Sequence, residues 1–193
     1  MSFLIGSQKM KTNVFLQKKI LDYIKLSLIG AITIGIAYLT ICLFSPTSVA
    51  ASKTIIVHYP AHQVKSGLAD LSAWKDWHPY LDSAEEQSIA VSGNTLNWTS
   101  KNGTQGKVEI THLTDSNRLS FSTSFLKNDS WKTYQGEFLI EGNERESKLS
   151  WIYVGEPFPF YKRPANYVIK EVILHSMDVG LQRYKKSLRD RVE

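Results

Sequence analysis

The sequence predicts an α+β domain, a curved antiparallel sheet wrapped around a long C-terminal helix, preceded by one transmembrane helix. Three observations carry this prediction. Leu26–Phe44 runs nineteen residues without a charge. Six segments between Gln87 and Val154 read as strands, with apolar and polar residues alternating cleanly in places. From Pro164 to about Arg189, apolar residues recur at steps of three and four.

At 1.5 Å per residue the uncharged run spans about 28 Å as a helix, close to the hydrocarbon thickness of a bilayer. Lys9, Lys11, Lys18, Lys19 and Lys25 precede it against one acid, Asp22. Ser45–Ser52 carries no charge. Basic residues stay on the cytoplasmic side, so the N-terminus is expected inside and the domain on the outer, periplasmic or extracellular, side. Lys18, Lys19 and Lys25 can snorkel to the interface. The alternative is a secretory signal cut at the small-x-small site Ser48-Val49-Ala50, releasing a secreted protein. The run exceeds the usual signal core of roughly 7–15 residues, which favours an uncleaved anchor. Bulky Ile41 before Cys42 argues against lipidation, so Cys42 reads as an apolar residue of the span. The chain thus divides into a basic leader (1–25), the membrane helix (26–44), a short linker (45–51) and a domain (52–193).

The net charge of +5 and pI near 9.2 invite a nucleic-acid reading until they are partitioned. The leader holds five Lys and one Asp, which is +4, and leaves +1 for everything after it. The basicity belongs to membrane topology, and no nucleic-acid partner is expected. Lys185, Lys186, Arg189 and Arg191 close the last helix, where cations favour the C-terminal dipole or meet anionic headgroups. The single cysteine lies in the span, so the domain uses no disulfide. Asn97-Trp-Thr99, Asn102-Gly-Thr104 and Asn128-Asp-Ser130 match sequons that matter only in a eukaryotic secretory pathway.

Element by element, Ser52–His58 reads as a β-branched strand that Pro60 ends. Ala61–Leu71 follows as a short helix with Val64, Leu68 and Leu71 on one stripe, weakened at Gly67. Trp74–Trp77 makes a second short turn that Pro79 closes. The period then becomes two, over Gln87–Ser92, Thr95–Ser100, Lys107–Leu113, Arg118–Leu126, Trp131–Glu141 and Lys148–Val154. Turn signals separate them at Ser92–Asn94, Lys101–Gly103, Asp115–Asn117, Asn128–Asp129 and Gly142–Asn143. The spacing of about ten residues predicts consecutive hairpins. Val108, Ile110 and His112 are expected on one face, Lys107, Glu109 and Thr111 on the other. Pro164 suits the first position of the long helix, whose stripe is Ile169, Ile173, Met177, Gly180, Tyr184 and Leu188.

In this order the chain resembles the START-like, or SRPBCC, superfamily, in its polyketide cyclase/dehydrase-like branch. The residues that carry the resemblance are Ile55-Ile-Val57, Pro60, and Leu68-Ala-Asp70-Leu-Ser-Ala-Trp74-Lys-Asp-Trp77-His-Pro79-Tyr80. Gly180-Leu-Gln-Arg-Tyr-Lys-Lys-Ser-Leu188 matches the family's last helix. His78 departs from it, since Asn or Ser is more usual before that Pro. The resemblance covers about Ser52–Leu188 and implies the helix-grip fold, β-α-α-β6-α. It implies no active site, because the superfamily has no common catalytic set. Members with one N-terminal anchor are familiar.

None of His58, His62, His78, His112 and His175 stands in a metal-ligand spacing, and Pro60 keeps His58 and His62 off a shared helical face. No metal and no cofactor is expected. No nucleophile elbow, P-loop or dinucleotide fingerprint is present. Glu85 and Glu86 read as solvated, Glu109 as outward, and Asp70 as a local cap. The aromatic residues say more. A sheet this aromatic around a helix would make an apolar cavity with few polar contacts, the usual makeup of a small-molecule site. The expected cavity-lining set is Trp77, His78, Trp98, Phe121, Trp131, Trp151, Tyr153, Ile173, Met177 and Tyr184. Tyr153 and Phe158–Tyr161 are expected at its mouth.

The sequence therefore points to a membrane-anchored binder of an apolar small molecule or lipid. One alternative is a cyclase, dehydratase or hydrolase on a hydrophobic substrate, which needs His78, His112 or His175 in the cavity. Another is an interaction module for a membrane protein. The oligomeric state is open. About eight residues separate Phe44 from the first strand, under about 30 Å even if extended, which would hold the domain close to the bilayer.

Overall fold

The computed structural model describes residues 2–113, 117–127 and 130–190. Asp115 and Ser116 of one expected turn, Asn128 and Asp129 of another with its sequon, and Arg191 lie outside the described residues. The chain divides into two compact units, 1–45 and 46–193. The first is one helix, α1 (Ser2–Phe44), which continues the expected span backward through the leader. Its stretch Lys19–Phe44, 26 residues, is long and apolar enough to cross a membrane.

The second unit holds β1 (Ala50–Val57), β2 (Ala90–Ser92), β3 (Thr95–Thr99), β4 (Gln105–Leu113), β5 (Arg118–Lys127), β6 (Ser130–Gly142) and β7 (Ser147–Val154). They form one antiparallel sheet in the order β1-β7-β6-β5-β4-β3-β2. The meander runs β2 to β7, and β1 closes onto β7 with Ala50 opposite Val154. The fold is the expected α+β helix-grip architecture. Two details differ. Glu86–Ser88 forms a 3-10 turn, so β2 is only three residues long. A bulge between Ile110 and His112 in β4 adds one residue to that strand, so His112 pairs with Ser120 and turns outward with it. The simple alternation that put His112 with Val108 and Ile110 fails at that bulge.

Four helical pieces cover one face of the sheet: α2 (Ala61–Ala69), a 3-10 turn (Leu71–Ala73), α3 (Trp74–Trp77) and α4 (Ala165–Asp190). Asp70 caps the 3-10 turn through its carboxylate, which accepts from the Ser72 N–H at 3.1 Å. The Trp74 indole N–H donates to the Leu68 carbonyl at 2.8 Å, which folds α3 back on α2. α4 lays the expected stripe on the core: Ile173, Met177, Gly180, Tyr184 and Leu188 are buried, and Ile169 is half-buried. The Tyr184 hydroxyl donates to the Val64 carbonyl at 2.6 Å and ties α4 to α2. Two glycines permit close approach. A Cβ at Gly180 would lie 2.9 Å from Pro79 Cδ and 3.0 Å from the Trp151 ring. One at Gly136 would lie 2.2 Å from the ring of Phe121, its cross-strand partner.

Candidate ligand pocket

The space between the sheet and the helices is divided into two halves. One is solid. Trp74, Trp77, His78, Phe121, Phe138 and Trp151 pack ring to ring there, with neighbouring centroids 4.8 to 6.4 Å apart. Tyr184 closes on Trp77 at 5.1 Å, and Met177 is buried with them. Six of the residues expected to line a cavity, namely Trp77, His78, Phe121, Trp151, Met177 and Tyr184, therefore sit in the packed core. Trp98 is buried too, edge-on to Phe125 at 5.9 Å. Trp131 is on the outer face, 48% exposed.

The other half is open. A pocket of about 250 Å³ lies between the ends of β5, β6 and β7 and the first turns of α4. Its sheet wall is Phe125, Tyr134 and Tyr153, and its helix wall is Ile169 and Ile173. Of the expected lining, Tyr153 and Ile173 are here. Phe158, from the segment expected at the mouth, lines the pocket as well. Tyr80, on the turn after α3, separates it from the solid half, with its ring 5.1 Å from His78 and 5.4 Å from Phe125.

Sequence reasoning missed Tyr80, Phe125, Tyr134 and Ile169 as lining. The strand parity held the signal for two of them. Counting back by twos from buried Ile140 and Phe138 gives Gly136, Tyr134 and Lys132, all on the inner face, while Trp131 falls on the outer one. Counting forward from Phe121 gives Thr123 and Phe125.

The edge beside the pocket is pinned by backbone bonds. Gly155 N–H donates to the Val49 carbonyl and Phe158 N–H to the Thr47 carbonyl, both at 2.8 Å. The Asn166 amide of α4 donates to the Pro46 carbonyl at 2.6 Å. Val49 itself lines the pocket, five residues after Phe44.

Polar groups in the pocket are few. The Tyr80 and Tyr153 hydroxyls lie close enough to interact, and the Tyr134 ring stacks on Tyr153 at 5.6 Å. Burial pushes Tyr80 up to about 12 and raises Tyr153 further, so both are neutral phenols at physiological pH. Tyr134 is raised as well, first by burial and then by the carboxylate of Glu156. Among the described residues, Lys132 and Glu156 bring the only charges to the lining.

None of His78, His112 and His175 reaches this pocket. His112 and His175 are exposed on the surface. His78 is fully buried behind Tyr80, stacked on Trp74 at 4.8 Å, and neither ring nitrogen has a hydrogen-bond partner. Desolvation lowers its pKa to about 3, so it is neutral. Trp77 Nε1, Trp151 Nε1 and Thr123 Oγ1 are buried without partners in the same core. Among the described residues, no group of three or more His, Cys, Asp or Glu is placed to hold a metal. A second, more polar depression, lined by His58, Tyr59, Gln182, Lys185, Lys186 and Arg189, lies toward the C-terminal end of α4.

Comparison with known proteins agrees with this architecture. The family described as polyketide cyclase / dehydrase and lipid transport matches residues 48–189. A search of curated proteins returned no match. A conserved protein from Geobacillus kaustophilus superposes with a TM-score of 0.58 at 12% identity, over 72% of this chain and 94% of its own. A START superfamily protein from Mycobacterium smegmatis gives 0.51 at 14% identity, over 73% and 97%. The protein XoxI from Bacillus cereus gives 0.51 at 14% identity, over 75% and 99%. At these identities the likeness is one of fold.

Proposed function

The chain belongs to the polyketide cyclase / dehydrase and lipid transport family, and from that premise we propose that its domain binds an apolar small molecule or lipid in the pocket beneath Phe158. The observation that carries the reading is the lining: aromatic rings and two isoleucines enclose about 250 Å³ with hardly a polar atom exposed to it. Such a pocket favours an apolar occupant because burying its carbon surface yields about 25 cal/mol per Å². The volume falls just below the range of roughly 300–1,000 Å³ usual for drug-sized ligands, so it suits one short chain or ring system.

The membrane completes the proposal. α1 anchors the chain with its basic leader on the cytoplasmic side, and the domain works at the outer face, where apolar ligands partition from the bilayer. Val49 of the lining follows Phe44 by only five residues in sequence, which supports uptake of a ligand from lipid. The phenols inside are neutral and the histidines lie elsewhere, so the arrangement favours holding a ligand over proton transfer to it.

The test is incubation of the full chain with lipid extract, followed by native mass spectrometry, alongside Ile169→Trp. Ile169 is half-buried and lines the pocket from α4, so the larger indole fills the space. The wild-type chain should retain an apolar molecule and the variant should retain several-fold less at unchanged melting temperature. A wild-type chain that carries nothing, or a variant that binds equally, refutes the proposal.

A further inference from the structure

Resting on the reading of α1 as a membrane anchor, we infer that the first turns of α4, with the 3-10 turn Phe160–Lys162 before them, form a lipid-docking surface that seats the domain on the bilayer. Two valines carry the argument. Val168 is 69% exposed and Val172 61%. They stand one turn apart on α4, and exposed Ala165 continues their row one turn earlier. At 3.6 residues per turn, this row lies about 130° around the helix from Asn166, Ile173 and Met177, which are buried. α4 is therefore apolar on a second side, and that side is open to solvent. Single exposed apolar residues are ordinary on a protein surface, but a contiguous row beside a pocket marks a place of contact.

The neighbours of the row have an interfacial composition. Tyr161 and Tyr167 are more than half exposed. Lys162 lies over the Tyr161 ring at 5.6 Å and Arg163 over the Phe160 ring at 5.3 Å, and Lys170 is exposed. Glu171 is the one acid between Phe160 and Ile173. Rings and cations around apolar side chains suit the headgroup layer, where the rings sit at the boundary and the cations meet phosphates. Chain connectivity then favours a bilayer over another partner. Asn166, in the first turn of α4, donates to the Pro46 carbonyl at 2.6 Å. Pro46 follows Phe44, the end of the uncharged run, by two residues, a tether of at most about 7 Å. Ile169 and Ile173 of the pocket each follow one of the two valines by a single residue. A ligand leaving lipid at this surface therefore meets the pocket wall on the same turns of α4.

The experiment uses the full chain in nanodiscs of phosphatidylcholine and phosphatidylglycerol. Cys42→Ala removes the single native thiol, and Val168→Cys, Val172→Cys or Glu144→Cys then carries an environment-sensitive fluorophore. Glu144 is the control, exposed in the turn between β6 and β7. Lipids with a quencher on the acyl chain should dim the label at 168 and at 172 at least threefold more than at 144. With the label moved to Ala165→Cys, Val168→Asp/Val172→Asp should bring quenching down to the level at 144. Both valines are exposed, so the melting temperature of that variant should stay within about 2 °C. If 168 and 172 are quenched no more than 144, or if the double Asp variant is quenched as strongly as its parent, the inference fails while the anchor stands. If the labels are shielded only in discs that hold two chains, the face pairs copies of this chain and the lipid assignment is overturned. If the chain does not stay with the discs on gel filtration, the anchor reading fails and this inference with it.

Discussion

Replacing His78 with Phe should flatten the response of the domain's stability to acid. His78 is fully buried, its two nitrogens lack partners, and the rings around it are Trp74, Trp77, Tyr80 and Trp151. Among the described residues no cation or carboxylate pairs with it, and desolvation lowers its pKa from 6.5 to about 3. The unfolded chain takes up a proton below pH 6.5, and the folded one does not until about pH 3. Stability therefore falls as pH drops through that window, by up to about 1.4 kcal/mol per unit. Between pH 7 and pH 4.5 this one group removes about 2.5 kcal/mol, a large share of a typical domain's stability. Urea unfolding of the full chain at both pH values, followed by tryptophan fluorescence, measures it. Phe keeps the stack on Trp74 but adds volume. That packing penalty does not depend on pH and cancels in the difference between the two conditions. His78→Phe should lose about 2.5 kcal/mol less than wild type over the interval. Equal losses in the two proteins would refute the burial of an uncharged His78.

Two other substitutions probe the packing and the lining. Gly136→Ala puts a methyl 2.2 Å from the ring of Phe121, which is held by Phe138 at 5.0 Å and Trp74 at 5.2 Å. It should destabilise by about 1–3 kcal/mol, read as a fall of roughly 2–12 °C in melting temperature. An unchanged melting temperature would show that the ring has room to move. Trp131→Ser removes a half-exposed ring from the outer face, so stability should change by no more than about 0.5 kcal/mol. Ligand retention should not change either, and a several-fold loss would place Trp131 in the site after all.

Legibility differed between fold and pocket for identifiable reasons. The strand boundaries could be seen because β4, β5, β6 and β7 each bury one face and alternate along most of their length. The bulge at Thr111 could not, since an extra residue leaves no mark in composition and only shows once Ile110 and His112 are paired with β5. The aromatic residues announced an apolar interior without saying which of them would fill it. Trp77 and His78 pack inward because Trp74 is bonded back to Leu68 and Gly180 lets α4 close on Pro79. The second of these joins positions far apart in sequence, and together they consume the space a cavity would need. Tyr134 and Phe125 were within reach of a parity count from Phe138 and Phe121. Tyr80 was not, because its place depends on the turn that follows α3.

By itself the sequence determined local properties: an uncharged run long enough to cross a bilayer, a meander of period-two strands, and an amphipathic helix whose stripe is spaced for burial. These follow from periodicity and charge along neighbouring residues, which no tertiary contact alters. Only the tertiary structure decided where the interior stays open. Whether a buried ring becomes core or pocket wall depends on what packs against it from elsewhere in the chain. Here Tyr80 marks that division, with solid aromatic packing behind it and about 250 Å³ in front.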